Sequence, residues 1–138
     1  MRYFHLATAL CLMLAAPASA QQDSIFDSYA AMRAEMDALI SSRRIEDLML
    51  RFGGADEMTV QQLRSLDAQV EQLYTQDFRH VEVIRSVAHQ NGFHQELLAY
   101  WTGTAYLYAY VFYHQTEGKV VSINFRFDSN FAKLNALF

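Results

Sequence analysis

The spacing of apolar residues changes part-way along the chain, close to Gln76. Before this point, apolar side chains recur every three or four residues, which is the period of an amphipathic helix. After it, β-branched and aromatic residues gather in short runs with a period of two, which is typical of strands. Helices that all precede the strands predict an α+β fold, in which the N-terminal helices cover one face of a curved antiparallel sheet.

Three helices are predicted before Gln76. They cover residues 25–40, 45–52 and 60–74. Ser24 is expected to cap the first helix, with Asp27 in its first turn near the positive end of the helix dipole. Thr59 and Gln62 have the spacing of a capping box, which places the start of the third helix at this point.

Four strands are predicted after Gln76, and three short turns join them. They cover residues 78–89, 93–101, 106–114 and 120–127. Asn91-Gly92 is a strong signal for a hairpin, while Gly103 and Glu117-Gly118 mark the other two turns. Four strands joined in sequence by tight turns predict a four-stranded antiparallel meander.

The first twenty residues have the pattern of a secretory signal peptide. Arg2 gives a positive start, an apolar run of about 11 residues follows, and small residues precede Gln21. The run is shorter than the roughly 20 residues that a membrane-spanning helix needs. We therefore predict a signal peptide over residues 1–20 with cleavage after Ala20. The mature protein is expected to be periplasmic or extracellular, to have no integral membrane segment, and to form a single α+β domain over residues 21–138.

Composition and motifs exclude several classes of function. The chain has 11 basic and 15 acidic residues, and this balance argues against nucleic acid as a partner. The predicted cleavage removes Cys11, the only cysteine, so the mature chain has no disulfide or thiol chemistry. No serine elbow, phosphate loop or zinc-protease motif is present. The sequence therefore gives no catalytic residue, no metal-ligand set and no cofactor.

Two pairs of polar residues come nearest to a chemical site. His89 and His94 become cross-strand neighbours if the turn between them has two residues, with Glu96 as the nearest third ligand for a metal. Asp77 and His80 have the spacing of an acid–base pair, but nothing near them supplies a nucleophile. Solvated side chains at a turn and at a sheet edge are the favoured interpretation of both pairs.

The third predicted strand presents two different faces. An aliphatic set alternates with an aromatic set: Leu107, Ala109, Val111 and Tyr113 against Tyr106, Tyr108, Tyr110 and Phe112. A three-residue loop at Glu117-Gly118, with the glycine in a bulge, pairs Tyr113 with Val121 and buries the aliphatic set. A two- or four-residue loop instead buries the aromatic set with Ile123 and Phe125. We favour the three-residue loop, because its two faces separate cleanly into apolar and polar.

Under the favoured register the aromatic set lies beside Ser122, Asn124 and Arg126 on the second face of the sheet. The candidate binding residues are Tyr106, Tyr108, Tyr110, Phe112, Asn124 and Arg126. Tyrosine suits interfaces because a large rigid ring ends in a hydrogen-bonding hydroxyl. Three interpretations stay open: a self-association surface that forms a homodimer, a groove for a small ligand or peptide, or ordinary strand-forming residues without a binding role.

The segments 91–103 and 106–129, with the helix before them, resemble the cystatin-like and nuclear-transport-factor-two-like α+β superfolds, and small exported bacterial proteins of that type. The cystatin-like layout fits better, because residues 55–58 hardly supply the short strand that the other superfold has between its second and third helices. The resemblance implies helices packed against a curved antiparallel sheet. Members of such folds act as enzymes, ligand binders and assembly modules, so the resemblance carries no catalytic residue over to this chain.

The main functional hypothesis is an exported, non-enzymatic binding or self-association module that acts through its sheet surface. Its partner is an unknown protein or a small ligand. The alternative is a small cofactor-free enzyme, a hydrolase or an isomerase, with a pocket between the helices and the sheet. In that case we expect Asn124, Arg126 or His114 to point into the pocket.

Overall fold

A computed structural model describes residues 24–138 of the chain, so the predicted signal peptide lies outside the described residues. The helices are α1 (Tyr29–Ser41), α2 (Ile45–Phe52), α3 (Val60–Leu73) and α4 (Phe131–Asn135). The strands are β1 (Ile25–Phe26), β2 (His80–Ala88), β3 (Phe93–Thr102), β4 (Ala105–Thr116) and β5 (Lys119–Asp128). The fold is therefore α+β, as the change of period predicts.

All five strands belong to one open antiparallel sheet, in the order β1-β5-β4-β3-β2. The antiparallel sheet is confirmed, but the predicted number of four strands is wrong. The fifth strand, β1, occupies part of the segment in which the first helix was predicted to begin. Ser28 rather than Ser24 caps α1, because its side chain accepts a hydrogen bond from the Ala31 N–H at 3.0 Å. Asp27 lies before the helix and forms an ion pair with Lys119.

Local signals set the bounds of α2 and α3. Gly53 ends α2 with a φ of 82°, a left-handed conformation that glycine adopts without strain. The capping box that starts α3 is present, with Thr59 and Gln62 bonded to each other's backbone N–H groups. Asp67 of α3 accepts hydrogen bonds from the first two N–H groups of α2, at 2.6 and 2.8 Å. This long-range cap joins the two helices, and no local pattern in α2 indicates it.

The core lies between α1–α3 and one face of the sheet, which we call the inner face. One buried cluster contains residues from all three helices and from β3, β4 and β5. Its members with almost no exposed surface include Met32, Met36, Ile40, Leu48, Leu98, Tyr100, Ala109 and Val111. We call the opposite face of the sheet the outer face.

The turn between β4 and β5 differs from the favoured prediction. Glu117-Gly118 forms a two-residue turn, with φ of 47° and 74° at its two positions. Two left-handed residues in succession are typical of the hairpin turn whose twist matches that of the strands. The predicted three-residue loop is therefore wrong, and Val121 pairs with His114 instead of Tyr113.

A β-bulge in β5 nevertheless keeps the aliphatic set in the core. Phe112 pairs with Asn124 and Tyr113 pairs with Ser122, so Ile123 is the extra residue. One extra residue reverses the alternation of faces, because side-chain direction along a strand has a period of two. The aliphatic set therefore lies on the inner face. Without the bulge, the two-residue turn would have buried the aromatic set instead. Ser122 also faces inward and is buried, so its predicted place beside the tyrosines is wrong.

The turn between β2 and β3 has three residues, Gln90–Gly92, rather than two. The His89 N–H donates to the Phe93 carbonyl at 2.7 Å, and Ala88 rather than His89 pairs with His94. His89 and His94 are therefore not the cross-strand neighbours that a two-residue turn predicts.

The C-terminal helix α4 was not predicted. Asn130 caps it by accepting a hydrogen bond from the Ala132 N–H at 2.9 Å. Leu134 of this five-residue helix is buried against the outer face, so part of the chain itself covers the surface that was expected to be open. Within residues 24–138, no helix is both long enough and apolar enough to cross a membrane.

Candidate functional site

The structure brings all six predicted binding residues to the outer face or its edge. The four aromatic residues of β4 alternate with the buried aliphatic set, Asn124 pairs with Phe112, and Arg126 pairs with Tyr110. The Arg126 guanidinium forms an ion pair with Glu57, which lies in the short turn between α2 and α3. Arg126 is thus held by a partner of its own and is not directed toward the tyrosines.

The middle of the outer face is closed by the last residues of the chain. Leu97, Tyr110 and Leu134 form a small second core, and Phe138 packs against it with its ring centroid 5.6 Å from that of Tyr110. Gln95 donates hydrogen bonds to the Tyr110 hydroxyl at 3.2 Å and to a carbonyl of the C-terminal segment at 3.3 Å. Tyr110 is only 5% exposed, so its prediction as a surface binding residue is wrong.

Beside this closed middle, five aromatic side chains follow one another across three strands and onto α4. We call this group the aromatic strip: His80, Trp101, Tyr106, Tyr108 and Phe131. Successive ring centroids lie 5.1, 6.1, 6.2 and 5.6 Å apart. The first three pairs are nearly parallel, with interplanar angles of 25°, 22° and 9°. Tyr106, at the middle of the strip, is 43% exposed.

Three members of the aromatic strip were not among the predicted binding residues. Trp101 lies opposite Tyr106 because β3 and β4 join through a two-residue turn, in which Thr102 pairs with Ala105. His80 lies opposite Trp101 on β2. An even number of residues in the turn at Gly103 places Trp101 opposite Tyr106 on the outer face, and this turn length was the sequence signal for Trp101.

The histidines occupy separate places. His89 bonds the Gln95 side chain at 2.6 Å, and His114 stacks on Phe93 with centroids 4.0 Å apart, both on the outer face. His94 instead faces inward and stacks on Tyr113. The possible metal pair of His89 and His94 is therefore not formed. Among residues 24–138, no three metal-ligating side chains of the His, Cys, Asp and Glu types come together.

A buried polar network on the inner face joins α1 to the sheet. The Glu96 carboxylate, in a residue that is 6% exposed, accepts hydrogen bonds from the hydroxyls of Tyr29 at 3.0 Å and Tyr113 at 3.3 Å. Arg33 donates to the Tyr29 hydroxyl at 3.0 Å, and its guanidinium lies 3.9 Å from the Glu96 carboxylate. This network was not predicted, and Glu96 was considered only as a possible metal ligand. Its place among the inward-facing residues of a central strand was the signal.

The network continues along α1 to a second carboxylate. Asp37 pairs with Arg33 at 3.2 Å and accepts a hydrogen bond from the Tyr100 hydroxyl at 2.6 Å. Burial raises the pKa of Tyr100 and of Tyr113, so both phenols remain protonated and act as donors. The phenols of Tyr29, Tyr100 and Tyr113 all donate to carboxylates of the network, which fixes α1 on the sheet.

The enzyme alternative places Asn124, Arg126 or His114 in a pocket between the helices and the sheet. His114 is stacked on the outer face, and Arg126 is paired with Glu57. Asn124 and Arg126 line a depression of about 270 Å³ between the end of α2 and β5, and this depression is open to solvent. The acid–base pair is not formed, because Asp77 bonds Arg43 at 2.8 Å while His80 stacks in the aromatic strip.

Comparison with models of protein families, with curated proteins and with solved structures finds no match for this chain. The site therefore has to be interpreted from its own geometry.

Proposed function

We propose that this chain is an exported, non-enzymatic binding module that holds a polypeptide partner on the aromatic strip. The observation that carries the proposal is the run of stacked rings from His80 through Trp101 and Tyr106 to Tyr108, next to a middle that the chain covers itself. Exposed aromatic residues in contact with one another offer a large rigid area at little cost in conformational entropy.

The orientation of the rings favours a polypeptide over a flat ligand. The rings of Trp101, Tyr106 and Tyr108 stack on one another, so their faces are already in use and their edges and polar tips are free for a partner. Ring edges beside hydroxyl groups suit a surface that mixes apolar side chains with hydrogen-bonding groups. A protein segment has this mixture.

Export and the finer layout of the fold are parts of the same proposal. Export is supported by the signal-peptide pattern of residues 1–20, and we expect the mature protein to begin at Gln21 in the periplasm or outside the cell. The cystatin-like layout is supported by the segment between α2 and α3, where Ala55–Glu57 forms a short 3-10 helix and not a strand. Intact mass of the protein recovered from the exported fraction tests the cleavage position.

The aromatic strip contains its own reporter, because Trp101 is the only tryptophan of the chain. The experiment titrates the chain from residue 21 with a panel of peptides of varied sequence and follows tryptophan fluorescence. We expect a saturable change for peptides that combine apolar and hydrogen-bonding side chains. Tyr106→Ser is expected to weaken such binding by roughly tenfold or more, the size typical of a central aromatic contact.

The matched control is Leu73→Ser, which removes an apolar side chain that is 72% exposed on α3. It is expected to leave peptide affinity unchanged. Equal weakening by Leu73→Ser and Tyr106→Ser, or peptide binding that does not change Trp101 fluorescence, contradicts the proposal.

A further inference from the structure

The two edges of the sheet differ in length. The outermost strand on one side is β1, with two residues, whereas on the other side it is β2, with nine. Within residues 24–138 no strand pairs with the free edge of β2, the edge opposite β3. Backbone N–H and C=O groups along such an edge form a template for another strand. β2 contains neither Pro nor Lys, two residues that commonly block an edge, although it has a bulge, which also limits pairing at an edge.

The pattern of faces along β2 is symmetrical about a bulge. The pairing with β3 shifts between Val83 and Arg85, so Ile84 is the extra residue. On the two sides of the bulge, the residues on the outer face are His80, Glu82, Arg85 and Val87. The residues on the inner face are Val81, Val83, Ser86 and Ala88. An antiparallel copy of β2 centred between Val83 and Ile84 pairs His80 with Val87, Val81 with Ser86 and Glu82 with Arg85. Each of these residues meets one of the same face, and the bulge residue Ile84 lies opposite Val83.

The same alignment is complementary in charge. It sets Glu82 opposite Arg85 of the second copy, and the two-fold axis repeats the pair. Glu82 has no ion-pair partner among the described residues. Arg85 bonds the Asn135 side chain through Nη1 at 2.7 Å, and its guanidinium lies 4.3 Å from the centre of the Phe138 ring. Ile84, which is exposed, comes to lie at the centre against Val83 of the other copy. Opposite charges and apolar pairs directly across strands both stabilise a sheet.

We propose that two copies of this chain pair through β2 in antiparallel orientation and form one continuous sheet. The proposal concerns the sheet edge, which shares only His80 with the aromatic strip. It places the outer faces of both copies on the same side, so that the dimer carries two aromatic strips. An interface made by one strand edge is small, and we expect a dissociation constant on the order of 10–100 µM.

Charge reversal tests the pairing directly. We expect sedimentation equilibrium of the chain from residue 21 to show a dimer. Glu82→Arg or Arg85→Glu alone places like charges opposite each other twice and should weaken the dimer by roughly tenfold. A mixture of the two variants restores both pairs, and we expect it to form a heterodimer with close to the original affinity. The mixture distinguishes a lost charge pair from a damaged fold.

Glu71→Arg on α3 is the matched control, because it makes the same change of charge at an exposed site away from β2. It is expected to leave the dimer unchanged. A protein that stays monomeric up to about 1 mM, or a dimer that is indifferent to Glu82→Arg, overturns the inference. Tyr106→Ser should leave the mass in solution unchanged, so failure of the edge pairing and failure of peptide binding are separate results.

Discussion

The two faces of the sheet are covered to different extents and with different chemistry. The inner face is covered by three helices and contains the larger core, together with the network around Glu96 and Asp37. The outer face has a small core made by Leu97, Tyr110 and Leu134 under the C-terminal segment, with the aromatic strip beside it.

This difference indicates a division of labour between the faces. Buried apolar area supplies most of the free energy of folding, and the inner face holds most of that area. His80, Tyr106 and Phe131 of the aromatic strip are exposed and are free to serve a partner, whereas Trp101 and Tyr108 are partly buried. The contrast is testable because neighbouring residues of one strand, such as Leu97 and Leu98, point to opposite faces and are both fully buried.

The largest expected effect comes from Leu98→Ala. Leu98 lies in the inner core, where helices on one side and strands on the other limit collapse around a cavity, and we expect a loss of about 3–5 kcal/mol in the free energy of unfolding. Leu97→Ala is expected to cost about 2–3 kcal/mol, because the short helix above it can move into the space. Denaturant titration of both variants measures the difference. Equal losses would mean that the two faces contribute equally.

Removing the charge of Glu96 should have the next largest effect. Glu96→Gln keeps the shape but replaces one acceptor oxygen with a donor, which faces the donating hydroxyls of Tyr29 and Tyr113. We expect a loss of about 2 kcal/mol, the size typical of a buried hydrogen bond to a charged group. Gln95→Glu is the contrast, because it places a charge at the adjacent outward-facing position, under the C-terminal segment. A stability unchanged by Glu96→Gln argues against a structural role for the network.

High pH tests the inner face through its buried phenols. Burial raises the pKa of Tyr100 above the ordinary value of 10.0, so the folded protein keeps a proton that the unfolded chain loses. Stability is therefore fully present below pH 10 and decreases above it, by about 1.4 kcal/mol per pH unit for one such phenol. Tyr100→Phe removes this phenol, so the free energy of unfolding should decrease less steeply with pH, by the contribution of one proton. Denaturant titrations between pH 10 and 11 measure this slope. If the free energy of unfolding of this variant depends on pH as steeply as that of the parent protein, the assignment of the effect to Tyr100 is wrong.

Elements with local signals were predicted from the sequence, and elements defined by a distant partner were not. Gly53 and the capping box at Thr59 mark helix ends within a few residues of chain, and the predicted helices over 45–52 and 60–74 agree with these signals. The two-residue strand β1 exists because Val120 and Val121 pair with it, which no local pattern shows. The bulge at Ile123 likewise follows from burial of the aliphatic set on both strands.

The candidate site shows the same limit. The alternation in β4 correctly separated the aromatic set from the core-facing residues, because alternation is local. It could not show that Tyr110 is buried, since the covering residues come from α4, more than twenty positions later in the chain. Asn130 before an apolar pair at Phe131 and Leu134 was a usable signal for that helix.

The smallest expected effect on stability belongs to Tyr106, and it sharpens the contrast most. Tyr106 and Tyr113 lie on the same strand, but Tyr106 is 43% exposed and Tyr113 is 4% exposed. The hydrogen bond that Tyr74 donates at this position goes to the backbone carbonyl of Tyr106, so it survives replacement of the side chain. We expect Tyr106→Ser to change the free energy of unfolding by less than about 1 kcal/mol, while Tyr113→Ser costs about 3 kcal/mol. A large loss for Tyr106→Ser in thermal or denaturant unfolding would show that the aromatic strip stabilises the fold, and would remove the argument that its rings are free for a partner.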